Sequence, residues 1–222
     1  MLTPEQHQWV ASPMAGVSRM MLERSGAETA RATSLVRYAP GAGYHAHQHG
    51  GGEEILVLSG IFSDEHGDYP AGTYLRNPPG SSHTPYSAQG CVLLVKLWQF
   101  HATDQQQVVL ASQQSDFVAG LVPGLTVLPL HQHDGVQTAL VRWAPHTRFN
   151  RHLHVGGEEI LVLQGLFCDE YGEYPALSWI RSPAYSQHQP YTKAEGALIY
   201  VKTGFIGADL LGDVWLPQQD AT

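Results

Sequence analysis

The chain has 222 residues, 43% of them hydrophobic, which is enough to bury a core in one large domain or two small ones and excludes a disordered chain. Its formal charge of −8, from 12 basic and 20 acidic residues with no basic cluster, argues against a grip on nucleic-acid phosphates. No apolar stretch approaches the roughly 20 residues needed to cross a bilayer, and the opening MLTPEQHQWV lacks a signal-peptide pattern, so a cytoplasmic protein is expected.

The stretches PEQHQWV and PMAGVSRMMLERSG carry the best helical periodicity in the chain, and it is weak. Thereafter the segments are short and apolar. LVRYAP, EILVLSGIF, GTYLRNP and CVLLVKLWQF read as strands, and SDEHGDYP reads as a hairpin turn in which Gly supplies a positive φ and Pro closes the loop. Residues 101–116, HATDQQQVVLASQQSD, are the natural join, although VVL within them looks like a strand shared with one half. Beyond the join the chain repeats itself. From TSLVRYAP to SSHTPY the first half aligns at an offset of 105 with TALVRWAP to SQHQPY, without a gap. After a one-residue insertion near Ala194, GCVLLVKLWQF continues onto GALIYVKTGFI. A period this long means a duplicated domain. The expected domains are 1–103 and 104–222, each an antiparallel sandwich or barrel.

Histidine is the compositional outlier, with 13 copies. The two cysteines, Cys91 and Cys168, fall at non-equivalent points of the repeats, so neither a structural disulfide nor a thiolate zinc site is expected. In HQHGGGEEILVLSG, residues 47–60, the positions His47, His49, Glu53, Ile55 and Val57 share a parity and hence one face of an extended strand. His152, His154, Glu158, Ile160 and Val162 repeat it. The three glycines could insert a bulge and exchange Glu53 for Glu54, and the same holds for Glu158 and Glu159. Imidazoles and a carboxylate turned into a barrel must be paired, neutralised or coordinated, and one divalent metal satisfies them all. A third histidine stands at the same place in each half, His83 in PPGSSHTPY and His188 in PAYSQHQPY. Three neutral imidazoles and one carboxylate leave such a cation with two open positions if it is octahedral.

These residues resemble the cupin motifs. GYHAHQHGGGEEILVLSG is similar to the first motif, an HxH followed by Glu and a distal Gly, and GTYLRNPPGSSH to the second. GGEEILVL, DEHGDYPAGTY and RNPPGSSHTP resemble more particularly the cupin-like domain of the ChrR family of anti-sigma factors, once per half. The resemblance implies an all-β bicupin, two tandem RmlC-like double-stranded β-helix (jelly-roll) barrels. Its implied metal ligands are His47, His49, Glu53 and His83, with His152, His154, Glu158 and His188 in the second copy. Zinc is the implied ion, with Fe(II), Ni or Mn as alternatives. The second copy departs from the pattern at Leu177 and Tyr185, where the first has Gly72 and Gly80, and His45 is matched by Asn150.

ChrR-type factors hold a sigma factor through an amino-terminal zinc module with a His-x3-Cys-x2-Cys pattern, which this sequence lacks. Direct sigma-factor binding is therefore not expected. The resemblance leaves two functions: a regulatory, stress-sensing metal module linked to transcription regulation, or an Fe(II)-dependent dioxygenase acting on a small ketone or aromatic substrate. A third reading is a structural bicupin with an empty second barrel. The expected partners are a small-molecule ligand in the barrel and a second copy of the chain as a homodimer, with no direct nucleic-acid binding and no membrane. Tyr44, Tyr74, Arg76 and Tyr86, matched by Phe149, Trp179, Arg181 and Tyr191, are candidate pocket residues; otherwise the aromatics are packing and the arginines pair with acids such as Asp64 or Glu65. HQHDG, starting at His131, copies the HxH spacing without a following glutamate and reads as a solvated loop.

Overall fold

The fold is that of a computed structural model, and the residues described are 1–26 and 29–204. They form antiparallel strands with two short 3-10 turns, divided by contact into two units.

The first unit is built from Gln8–Gln114. The strands Val17–Ser25, Arg31–Tyr38, Cys91–Leu97 and Glu53–Asp64 pair in that order, with Val10–Ala11 on the outer edge; the last two are rich in Val, Leu and Ile, whereas Val17–Ser25 is held by its alternation of buried and exposed side chains. The strand Glu53–Asp64 serves two surfaces. Its first part pairs with Cys91–Leu97 and Thr73–Asn77, and its last part with Gly67–Pro70. The change of direction falls at Gly60, whose φ is 74° and where a Cβ would stand 2.1 Å from the Gly90 carbonyl oxygen. Alternate residues thus turn inward from every strand, and Val36, Ile55, Val57, Phe62, Leu75 and Leu93 fill the barrel.

The second unit repeats the plan. Leu125–His133, Val136–Trp143, Tyr191–Thr203 and Glu158–Asp169 pair in that order around Trp143, Ile160, Val162, Phe167, Ile180 and Ile199. Its contact unit also includes Met1–His7, and Leu2 exchanges two backbone hydrogen bonds, each 2.9 Å, with Trp179. Conversely Val108–Ala111, which contains the VVL of the join, pairs with Thr73–Asn77 of the first unit. The leading segment of each repeat therefore joins the barrel built by the other repeat, residues 1–7 through the Leu2 bridge and Val108–Ala111 as a strand.

Two sequence expectations change. PMAGVSRMMLERSG is largely the strand Val17–Ser25: Met20 and Leu22 are buried while Met21 is 48% exposed, an alternation of period two that overrides the weak helical spacing. HQHDG is not a solvated loop. His131 and His133 end the strand Leu125–His133 with His131 buried, and only Asp134-Gly135 makes the turn.

The replacements of glycine in the second repeat do not alter the backbone. Leu177 and Tyr185 keep the left-handed conformation of Gly72 and Gly80, with φ of 69° and 64° against 88° and 90°. A side chain costs about 1–2 kcal/mol there. Tyr185 is 67% exposed and packs little, so Tyr185→Gly should stabilise the protein by about 1 kcal/mol, read as a higher urea midpoint. An unchanged or lower midpoint would contradict the strain.

Candidate metal centre

In the first barrel His47 opens one short strand, His47–Gln48, which pairs with Ser82–His83 so that His47 and His83 stand directly opposite. His49 follows, and Glu53 begins the long strand on the inward face. The ring centres are 5.0 Å apart for His47–His49 and His47–His83, and 4.7 Å for His49–His83. The ligand atoms of these three histidines all lie within 4.8 Å of one another. Glu53 Oε2 stands 3.5 Å from His49 Nε2 and 3.4 Å from His83 Nε2. Glu54 faces the opposite way.

The glycine run provides the room for this turn of chain. A Cβ on Gly51 would lie 2.2 Å from the Trp98 ring, and one on Gly52, whose φ is 77°, would lie 2.4 Å from the Phe100 ring. The glycines thus seat two aromatics against the backbone that carries His49 and Glu53.

Two of the three imidazoles are held from behind. His47 Nδ1–H donates to the His45 carbonyl at 2.9 Å, and His83 Nδ1–H to Asp64 Oδ2 at 3.3 Å. An acceptor at Nδ1 fixes the proton there and leaves the Nε2 lone pair facing the cluster. Asp64 is itself anchored by Tyr69 Oη–H at 3.0 Å and by the His66 backbone N–H at 2.8 Å. Nε2 of His49 and His83 are buried without a hydrogen-bond partner, which is the condition of a donor set shaped for a cation.

The electrostatics agree. Burial, followed by the neighbouring His83 and His47, pushes His49 down to about 3. Burial and His47 also lower His83 against the opposing pull of Asp64. Glu53 is pushed up to about 7, chiefly by burial and further by Asp64, with the Asn77 hydrogen bond opposing. In the metal-free barrel burial therefore favours the neutral form of His49 and His83, and the Glu53 carboxyl holds its proton up to near neutrality.

The second barrel reproduces the arrangement. His152, His154, Glu158 and His188 place one ligand atom each within 4.8 Å of all the others. His152 pairs directly with His188 across the sheet, and Glu158 Oε2 is 3.6 Å from His154 Nε2 and 3.5 Å from His188 Nε2. His152 Nδ1–H donates to the Asn150 carbonyl at 3.0 Å and His188 Nδ1–H to Asp169 Oδ2 at 3.2 Å. Burial lowers His154 to about 4 and raises Glu158 to about 7. Burial would also raise Asp169, but hydrogen bonds from His188, the Tyr171 N–H and Tyr174 leave it below the usual carboxylate range. Nε2 of His154 and His188 and Oε2 of Glu158 are buried without hydrogen-bond partners, so both donor sets fit a divalent ion.

A cavity of about 350 Å³ opens onto the first cluster, with Arg19, Tyr38, Tyr44 and Trp98 among its walls. Of the candidate pocket residues only Tyr44 lines it, its Oη 2.5 Å from Ser12 Oγ. Tyr74 and Arg76 lie fully buried on the other face of the sheet, and Arg76 pairs with Glu54 and Asp104, not with Asp64 or Glu65. In the second unit Phe149 packs on the core, Trp179 is buried, Tyr191 lies under Arg148, and Arg181 opposes Glu159 across the sheet. Cys91 and Cys168 are free and buried.

A family model described as the ChrR cupin-like domain matches residues 1–101 and again 105–206. No curated protein matches the chain. Among solved structures, a proposed dioxygenase from Nostoc punctiforme superposes with a TM-score of 0.74 at 15% identity, over 92% of this chain and 79% of its own. The protein Ylba of E. coli gives 0.69 at 19% identity, over 91% and 89%. Bacillus subtilis oxalate decarboxylase, described with Mn(II) centres, gives 0.58 at 14% identity, over 91% and 76%. At these identities the likeness is one of fold.

Proposed function

Since the chain belongs to the ChrR cupin-like domain family, twice over, we propose that it is a regulatory, stress-sensing protein that holds a divalent metal ion in each barrel. The ligands would be His47, His49, Glu53 and His83 in the first and His152, His154, Glu158 and His188 in the second. The observation that carries this reading is the set of buried Nε2 atoms without hydrogen-bond partners, converging on a carboxylate in both repeats. Three nitrogens and one oxygen suit zinc, which we expect the protein to retain, and also admit Fe(II), Mn or Ni. Such an ion would act as a Lewis acid towards a ligand entering the first cavity. The chain's own part is to hold the Nδ1 protons of His83, His188, His47 and His152 through Asp64, Asp169 and the His45 and Asn150 carbonyls, so that each Nε2 is left for the ion, and to limit access through aromatic walls.

Elemental analysis after anaerobic purification, followed by oxygen-electrode measurements, tests the reading. Two zinc ions per chain and no oxygen uptake support it. Iron with substrate-dependent uptake supports the second reading, a cupin dioxygenase acting on a small ketone or aromatic compound, which the open cavity above the cluster and the likeness to the Nostoc protein favour. A chain that binds no divalent ion refutes both.

Metal loading should depend on pH in a defined direction. Glu53 and Glu158 sit near 7 in the metal-free protein, so below that pH an incoming ion must displace a proton in each barrel. His49 and His154, near 3 and 4, do not compete until far lower. The carboxyl proton alone should therefore lower the apparent affinity about tenfold per pH unit from pH 7 to pH 5, one proton per site. Competition against a metal indicator reads the slope, and a slope of two or more would mean that a histidine also takes up a proton.

A further inference from the structure

The two barrels can be compared strand by strand, and along one inward-facing row they differ by a single change of character. In the first barrel the row runs across four strands as Arg19, Val36, Leu93 and Val57. In the second it runs as Val127, Val141, Ile199 and Val162. Arg19 thus occupies a position where its counterpart is aliphatic, and it faces the cavity that opens onto His47, His49, Glu53 and His83. Among the described residues no hydrogen bond, ion pair or ring contact reaches it, and its Nε is buried without a hydrogen-bond partner. Elsewhere in this unit guanidiniums are matched: Arg76 by Glu54 and Asp104, Arg31 by Glu23, Arg37 by the Trp9 ring. A half-buried cation left unmatched costs stability, and its natural complement is an anion from outside.

The rest of the cavity wall narrows the class of anion. Tyr38, Phe62, Leu93, Val95 and Trp98 offer mostly carbon surface, and Gln48, Thr29 and Tyr44 add uncharged polar groups. Trp98 holds a left-handed φ of 58°, where the second repeat has Gly204 at 84°, so its indole is kept at the wall against a backbone preference for glycine. One planar cation in an aromatic and aliphatic wall suits a ligand with one planar anionic group on an apolar body. We propose that the first barrel is a site for a small organic carboxylate, whose carboxylate is forked by Arg19 while its apolar body lies against the aromatic and aliphatic wall of the cavity that opens onto the metal site of His47, His49, Glu53 and His83. This rests on the metal-binding reading above. The second barrel, with Val127, has no such anchor and would not make the distinction.

Isothermal titration of the zinc-loaded full chain with a series of simple acids (butyrate, hexanoate, benzoate, phenylacetate) and their neutral amides tests the proposal against Arg19→Val and Arg19→Lys. Valine is what the fold already carries at the matching place. The expected result is that at least one acid binds wild type at least tenfold tighter than it binds Arg19→Val. Arg19→Lys should recover part of the loss, and the amides should change less than twofold. Equal acid-to-amide preference in wild type and Arg19→Val overturns the proposal, as does a wild-type chain that binds none of the acids at millimolar concentration. Zinc content is measured on the same samples. Full zinc with equal preference refutes the carboxylate site alone, whereas a wild-type chain without zinc refutes the metal reading and this proposal with it.

Discussion

Replacing His49 with alanine is expected to lower bound divalent metal from two ions per chain to one and to reduce the melting temperature of the loaded protein, while leaving the metal-free protein nearly unchanged. The contrast follows from where the histidine's energy resides. In the metal-free barrel His49 Nε2 is buried with no hydrogen-bond partner and the ring is held neutral, so alanine removes a desolvated polar atom together with some carbon contacts. In the loaded barrel the same atom would bind the ion, and an ion present at a thousand times its Kd stabilises the fold by about 4 kcal/mol. Elemental analysis gives the count, and thermal unfolding with and without a chelator gives the difference. Two ions retained, or equal destabilisation in both conditions, would reduce His49 to a packing residue.

Arg76→Met should be the most damaging single change remote from the clusters. Arg76 is 2% exposed, with NH2 2.5 Å from Asp104 Oδ2 and NH1 3.5 Å from Glu54 Oε2. Its guanidinium lies 4.0 Å from the centre of the Phe100 ring. Methionine approximates the volume but leaves two buried carboxylates without the guanidinium, a loss of about 3–5 kcal/mol. Urea unfolding measures it. A loss below about 1 kcal/mol would mean that the three charges contribute little as a group, and the loss should be the same with or without metal, since Arg76 faces away from the histidines.

The parity of EEILVL made Glu53, Ile55 and Val57 readable as an inward row. His47, by contrast, lies on a separate short strand, His47–Gln48, and the chain between passes through Gly52 at a φ of 77°, so alternation along one strand does not account for the histidines. The same rule could have placed Arg76 correctly: Glu54 and Arg76 are direct partners across the sheet, as are Leu56 and Tyr74, and in that part of the strand, before Gly60, the even-numbered residues face away from the cluster. Recognising this needed the register between strands, which a turn of uncertain length does not reveal. Asp64 and Asp169 were missed as supports for His83 and His188. They stand 19 residues earlier, at the end of the strand that enters the hairpin turn, and only closure of the barrel brings them together. Arg19 was hidden for a related reason, since its stretch looked weakly helical and its inward direction depends on pairing with Val36. The duplication itself was fully legible, as the family matches over residues 1–101 and 105–206 confirm.

The exchange of leading segments also bears on how the chain is made. Leu2 bonds to Trp179, so the segment that carries it has its partner only after about 175 further residues have been added. At about 5–20 residues per second that interval is on the order of ten to thirty-five seconds. The barrel of Gln8–Gln114 can close during this time, because its borrowed strand Val108–Ala111 is synthesised next. The amino-terminal residues must wait with their edge uncovered. A nascent chain paused before Trp179 would therefore carry one finished barrel and, at residues 1–7, a segment whose backbone partner is not yet made, which makes this window the point at which translation speed bears on misassembly.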